Sequence, residues 1–330
     1  MTDTSKIILD VDTGTDDAMA IILAMRALKD RLLAITVTHG NQPLHNTLEN
    51  TLRVVEFMGG GVPVYGGMPG PMVQDLMPGR HGNQRHQKYV QIIDGEEVCV
   101  HAPYLPLPPT SLKPQSQHAV SFLVDALRNT PEPITIVSVG PLSNLGMALR
   151  MAPDIAKNIK RLILMGGGDR DVNLTSAAEL NFFKDPEAAQ IVVHAPCPIV
   201  IFPLDATTSI VFREHDAEQI MALDNPCARF YADLLLHFIE RLRLLGIAYK
   251  DDPNDFSMAM HDALCILYLL DPTLVTDLRR RNVDVDFGGS LCDGRMVVES
   301  RVYVPLEGDV QVAYQLDKEK AMSLLLRILA

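Results

Sequence analysis

Four carboxylates crowd the segment Asp10-Val11-Asp12-Thr13-Gly14-Thr15-Asp16-Asp17. Like charges this close repel one another unless a cation sits among them. Carboxylate oxygens suit a hard ion such as Ca²⁺ or Mg²⁺. Gly14 is expected to let the loop turn tightly. Asp16 and Asp17 stand where a helix begins, so helix capping is the plain alternative. Capping accounts for one or two aspartates and leaves Asp10 and Asp12 unexplained.

Other residues could share the work. His39-Gly40-Asn41, Val139-Gly140 and Met165-Gly166-Gly167-Gly168 each follow an apolar run. Taken singly, Asn41 is an ordinary turn residue, and Glu179 and Asn181 are ordinary surface polar residues. The triple glycine lacks the surroundings of a phosphate-binding loop. His261 precedes Asp262 at the start of an apolar helical stretch. It reads as a candidate general acid or as a structural histidine.

Something must bring these residues together. Ile7–Val11, Leu32–Thr38, Ile134–Val137, Leu162–Met165 and Ile199–Phe202 are β-rich runs. Near-continuous apolar strands are usually buried on both faces, as in parallel sheets. Helical stretches alternate with them, at Asp16–Leu28 and Asn46–Phe57 among others. The expected fold is α/β, with a central mostly parallel sheet flanked by helices. Ligands of such sheets bind beyond the C-terminal strand ends, where Asp12, Asn41, Val139 and Met165 fall. Residues 68–114 are rich in Pro, Gly, His and Gln and read as a long irregular loop. The alternation resumes afterwards, so residues 1–330 are expected to form a single domain.

Composition narrows the function. The chain has 330 residues, 47% of them hydrophobic, and a formal net charge of −12. An acidic chain with no basic run lacks the footprint of a nucleic-acid binder. No apolar stretch reaches membrane-spanning length, and the first residues carry no basic targeting region. The five cysteines form no CxxC pair, which suits a reduced compartment, and Cys197 and Cys265 read as buried thiols. A cytoplasmic protein is expected.

Two families share parts of this pattern. A strand ending in Asp-x-Asp also opens the haloacid-dehalogenase phosphatases, where Asp10 would be the nucleophile and Asp12 the acid/base, with Mg²⁺ as cofactor. Gly14 stands where that family has a small hydroxyl residue, and the later acidic motif is unclear. The run Asp10 to Asp17 more closely resembles the Asp-x-Asp-x-Gly-x-Asp-Asp signature of the inosine–uridine nucleoside hydrolases. His39-Gly40-Asn41, Ser138-Val139-Gly140-Pro141-Leu142-Ser143-Asn144, the glycines after Met165, Asn173, Glu179-Leu180-Asn181, Asp185-Pro186-Glu187 and His261-Asp262 follow in that family's order.

The resemblance implies a Rossmann-like nucleoside hydrolase fold and Ca²⁺-dependent cleavage of the N-glycosidic bond of ribonucleosides. Asp12, Asp17 and Asp262 would hold the Ca²⁺ by carboxylates and Val139 by its carbonyl, where Thr is frequent in the family. Asp16, Asn41, Asn173, Glu179 and Asn181 would bind the ribose hydroxyls, and Met165 would pack on the sugar. Asp12 would be general base to a metal-activated water, and His261 the acid for the leaving base. Asp10 would support the loop from behind. A homodimer or homotetramer serving nucleoside salvage is implied. A non-catalytic nucleoside-binding protein on the same fold is the other alternative, and the retained ligand and acid residues weigh against it.

The pattern departs from the family around the base. The loop containing His81, a candidate substrate-binding residue, runs on as Gly82-Asn83-Gln84-Arg85-His86 where the family is acidic and Gly-rich. Helix residues Tyr231, His237, Phe238, Arg241 and Tyr249 are candidates for the opposite wall. The chain has no Trp, whereas purine-specific relatives stack the base between tryptophans. Together with His261 this implies the broader or pyrimidine-leaning branch.

Overall fold

Strand β1 (Ile7–Val11) is buried along its whole length, which explains its apolar sequence. The strands that follow are β2 (Leu32–Val37), β3 (Val64–Gly66), β4 (Val90–Ile93), β5 (Glu96–Cys99), β6 (Ile134–Ser138), β7 (Ile159–Met165), β8 (Ile199–Phe202), β9 (Val275–Arg280), β10 (Val283–Val285), β11 (Met296–Val298) and β12 (Val310–Leu316). The helices are α1 (Thr15–Leu28), α2 (Leu44–Phe57), α3 (Ala119–Asn129), α4 (Ser143–Met151), α5 (Leu180–Lys184), α6 (Pro186–Val193), α7 (Leu204–Thr207), α8 (Glu214–Met221), α9 (Pro226–Leu245), α10 (His261–Leu270) and α11 (Lys318–Leu329). The structure is a computed structural model and describes residues 5–73, 76–77, 80, 90–93, 95–249, 252–289 and 291–330.

Eight strands form one sheet in the order β3-β2-β1-β6-β7-β8-β12-β9. Every neighbouring pair is parallel except β12 with β9 at the edge. The expected mostly parallel sheet is therefore present. Chain order runs one way from β1 through β2 to β3 and the other way through β6, β7 and β8. The loops after β1 and β6 consequently part, and a crevice opens at the C-terminal ends of those strands.

The sheet divides the core into two layers. Ile7, Leu9 and Val11 of β1 pack on the side of α1, α9, α10 and α11. Ile8 packs on the other side, with α3, α4 and α6. Asp10 shares the parity of Ile8 and so faces α4, as the two-residue period of a strand requires. No helix among the described residues is long and apolar enough to cross a membrane.

The segment expected to be irregular contains a short antiparallel hairpin, β4 with β5. Gly95 adopts φ +86°, as a tight hairpin turn requires. Cys265 is buried as expected, but Cys197 is only half-buried because it lies in the turn before β8.

Candidate active site

The acidic run crosses the C-terminal end of β1 and enters α1, and its four carboxylates have different fates. Asp10 lies opposite Thr36 of β2 and Ser138 of β6 in the sheet register. Both hydroxyls donate to its carboxylate, at 2.6 and 3.0 Å, and Asn144 Nδ2 donates at 2.9 Å. Burial pushes its carboxyl up to about 6 against the pull of those donors. Asp10 is thus a buried brace joining three elements. A phosphatase nucleophile needs a carboxylate facing substrate, and Asp10 faces helix α4 instead.

Asp17 is the helix cap. Its Oδ2 accepts from Gly14 N at 2.9 Å and its Oδ1 from Asp12 N at 3.0 Å. The capping explanation therefore holds for one aspartate of the four. Asn41 adds a second clasp, donating Nδ2 to Asp17 Oδ2 at 3.2 Å and its backbone N–H to Asp12 Oδ2 at 2.6 Å.

Asp12 and Asp16 are left over. Asp12 Oδ1 and Asp16 Oδ1 are buried and have no hydrogen-bond partner. A buried oxygen without a donor is costly and calls for one. Oxygens of Asp16, Asp17 and Asp262 lie within 4.8 Å of one another. Asp262 arrives from the first turn of α10, across the crevice. Burial pushes the carboxyls of Asp12 and Asp262 well above the ordinary range, and the neighbouring aspartates push them further. Asp17 is pushed up to about 6 by the same causes. Unpartnered buried oxygens among mutually repelling carboxylates are the donor set a hard divalent cation fits. This group, found among the described residues, contains Asp16, which the resemblance gives to the sugar, with Asp12 beside it.

Glycines make room for this packing. A Cβ on Gly40 would stand 2.1 Å from Asp12 Oδ2, and one on Gly140 2.7 Å from Asp12 Oδ1. Gly14 differs from expectation. Its φ of −98° makes no special turn. It is required because a Cβ there would lie 2.5 Å from His101 Nδ1 and 2.9 Å from Asn41 Nδ2.

A cavity of about 790 Å³ opens above the cluster. Asp16, Asn41, Val139, Met165, Asn173, Glu179, Asn181, His261 and Asp262 all line it, so the fold gathers most of the expected site residues. Several of them are already engaged. Asn181 donates Nδ2 to the carbonyls of Val139 and Met165, at 2.8 and 3.1 Å, which ties the ends of β6 and β7 together. Its Oδ1 is the atom left for a ligand. Glu179 caps α5, accepting from the amides of Gly167, Asn181 and Phe182. Burial still pushes its carboxyl up to about 7. Asn173 Oδ1 accepts from Leu180 N at 3.0 Å, leaving its amide nitrogen for the cavity.

His261 opens α10, with Nδ1 2.7 Å from Thr207 Oγ1. Burial lowers its pKa, and the charge of Asp16 opposes that. His81 and Arg85 lie outside the described residues. Of the candidates on and after α9, Phe238 and Tyr249 line the cavity. Tyr231 is core, and His237 is exposed. Arg241 donates Nε to Cys99 O at 2.7 Å.

The sequence reading missed His101. It follows the β4–β5 hairpin and enters the cavity between Asp16 and Phe238. Nothing local marks it, because only the fold brings position 101 to the start of α1.

The family model described as inosine-uridine preferring nucleoside hydrolase matches residues 7–323. The pyrimidine-specific ribonucleoside hydrolase RihA of Citrobacter koseri is 34% identical over 328 residues, covering 98% of this chain and 97% of that protein. RihB of Escherichia coli, of the same printed specificity, is 33% identical over 95% of this chain and 93% of its own length. Among solved structures, a purine-preferring ribonucleoside hydrolase from Gardnerella vaginalis superposes with a TM-score of 0.80 at 26% identity, covering 98% of this chain and 99% of the other. The plant nucleoside hydrolase PpNRh1 gives 0.79 at 26% identity, over 99% of both chains. This chain belongs to the inosine-uridine preferring nucleoside hydrolase family, enzymes that cleave the bond between a sugar and its nucleobase.

Proposed function

We propose that this protein is a Ca²⁺-dependent ribonucleoside hydrolase that favours pyrimidine nucleosides. The observation that carries the reading is the pair of unpartnered buried oxygens, Asp12 Oδ1 and Asp16 Oδ1, in the acidic cluster with Asp17 and Asp262 at the cavity. The pyrimidine preference rests on the names of the relatives at 33–34% identity and on the absence of Trp.

Asp12, Asp17 and Asp262 would hold the Ca²⁺, with the Val139 carbonyl, and Asp16 stands close enough to share it or to take a sugar hydroxyl. Bound there, the ion supplies a Lewis acid that makes a water more acidic and anchors vicinal hydroxyls. Asn41, Asn173, Glu179 and Asn181 rim the sugar end, where polar groups hold the ribose by its hydroxyls and Met165 packs beneath it. Their own hydrogen bonds fix each side chain in advance, so little ordering remains to be done on binding.

In the reaction the C1′–N bond breaks and its electron pair leaves with the base. The water oxygen bonds to C1′ and its proton passes to Asp12. His261 gives a proton to the departing base. The products are ribose and the free base. Asp10 takes no part in the chemistry and fixes the strand end.

The test is release of free ribose from uridine, cytidine, inosine and adenosine in the presence of Ca²⁺, with Asp12→Ala and a chelator as controls. Ribose from uridine or cytidine that disappears in both controls is the expected result. Ca²⁺-dependent nucleoside binding without ribose would sink the hydrolase reading for this chain.

A further inference from the structure

His101 is positioned as part of the site. Its Nδ1 accepts the backbone N–H of Thr15 at 3.3 Å. A backbone amide can only donate, so Nδ1 is the acceptor and the ring proton of the neutral imidazole must sit on Nε2. His261 is different, because its partner is a hydroxyl that can donate or accept. The first amide of α1, that of Thr15, thus meets the ring at the positive end of the helix. The His101 carbonyl is held as well, by Gln42 Nε2 at 2.9 Å and Cys99 Sγ at 2.8 Å. Gly14, which lacks a Cβ, leaves room for the imidazole against α1.

The opposite edge of the ring faces the cavity. Nε2 has no hydrogen-bond partner among the described residues, and the side chain keeps 17% exposure. His101 stands at the seam of the cavity. Nδ1 is 3.9 Å from Asp16 Oδ1 on the cation side, and the ring centroid is 5.6 Å from that of Phe238 on the apolar side. Phe238, Leu242, Ile247 and Tyr249 form a wall suited to a planar base. A nucleoside with its sugar over the carboxylates and its base against this wall puts the glycosidic bond beside that seam.

We infer that His101 is a second substrate-facing histidine, which donates an Nε2–H hydrogen bond to the leaving nucleobase. This rests on the hydrolase reading above. As the C1′–N1 bond of a pyrimidine nucleoside breaks, the electron pair spreads onto the carbonyl oxygen next to N1. A fixed donor aimed there stabilises charge that exists only as the bond breaks. His101 keeps its own proton throughout, and the base is protonated by His261.

The experiment compares two leaving groups. Wild type, His101→Ala and His101→Gln are assayed with Ca²⁺ on uridine and on 4-nitrophenyl β-D-ribofuranoside, whose nitrophenolate departs without help. We expect His101→Ala to lower kcat/KM for uridine by about 100-fold and to change it for the nitrophenyl riboside by less than about threefold. Gln presents an N–H at similar reach, and His101→Gln is expected to recover about tenfold of the loss. Retained nitrophenyl activity shows that each variant is folded and that its sugar and cation sites work. Equal losses on both substrates would overturn the assignment, as would no loss on either. Wild type inactive on both substrates would instead overturn the hydrolase reading and the assignment with it.

Discussion

The cavity floor is made of carboxylates at the starts of two helices, Asp16 on α1 and Asp262 on α10, with Asp12 and Asp17 packed close behind them. The cavity wall is made of His101, Phe238 and Tyr249, delivered by a hairpin, the long helix α9 and the loop after it. On the floor, Asp12 packs so closely on Gly40 and Gly140 that neither position has room for a Cβ. On the wall, contacts are side chain against side chain and can readjust. The difference separates two duties. On the proposed reading, the floor would set which bond is broken and the wall which base is accepted.

The sharpest way to break this division is to disable one side only. Asp12→Ala should lower kcat by about 10²–10⁴-fold on every nucleoside tested, because it removes the proposed general base whatever the base attached. Ribose release across four nucleosides measures this, and a loss confined to one of them would move Asp12 to the specificity side.

A smaller effect tests whether the floor is strained without its cation. Burial and mutual repulsion raise the carboxyls of Asp12, Asp17 and Asp262 above the ordinary 3.8, Asp17 to about 6. A raised folded-state pKa means that the stability is present below the unfolded value and is lost as pH rises through the folded one. Chelated protein should therefore melt at a lower temperature at pH 8 than at pH 5. A fixed Ca²⁺ concentration a hundred times the Kd at pH 8 should add about 2.7 kcal/mol there, and less at pH 5, where protonated carboxyls bind the ion more weakly. Calorimetry at both values checks it. An equal calcium effect at the two would show that these carboxyls are already ionised at pH 5.

Gly40→Ala probes the packing of the floor without touching a charge. Its Cβ would sit 2.1 Å from Asp12 Oδ2. A loss of about 1–3 kcal/mol of stability is expected from denaturant unfolding, with a fall in kcat on every nucleoside. Phe238→Leu is the mildest change. It should raise KM for uridine by less than about fivefold and leave kcat near wild type, since a volume-similar apolar swap on the wall alters uniform binding. A large fall in kcat would show that the wall also positions the reacting bond.

Much of the floor was legible beforehand because its residues are contiguous. Asp10 to Asp17 lie on one strand, one turn and one helix start, and local rules alone place their carboxylates together. Asn41, Val139, Met165 and Asp262 were findable through strand ends and motif order, and each reaches the same cavity. The distribution of roles was less legible. Asp10 and Asp12 look equivalent on paper, yet one is inside the sheet with donors on both sides and the other is past its end. Asp16, expected at the sugar, also lies within reach of Asp17 and Asp262. Glu179 and Asn181 were read as sugar ligands, and the structure shows them also capping a helix and tying two strands.

By itself, then, the sequence determined the alternation of strands and helices, the parallel character of the sheet and the place of the acidic cluster at its first strand. These follow from hydrophobic period and local turn chemistry, which act over a few residues. The tertiary structure decided which carboxylate lacks a partner, why Gly14 must be glycine and that His101 belongs to the site. Each of these depends on contacts between segments far apart in the chain. Thr15 and His101 are 86 residues apart, and no local rule connects them.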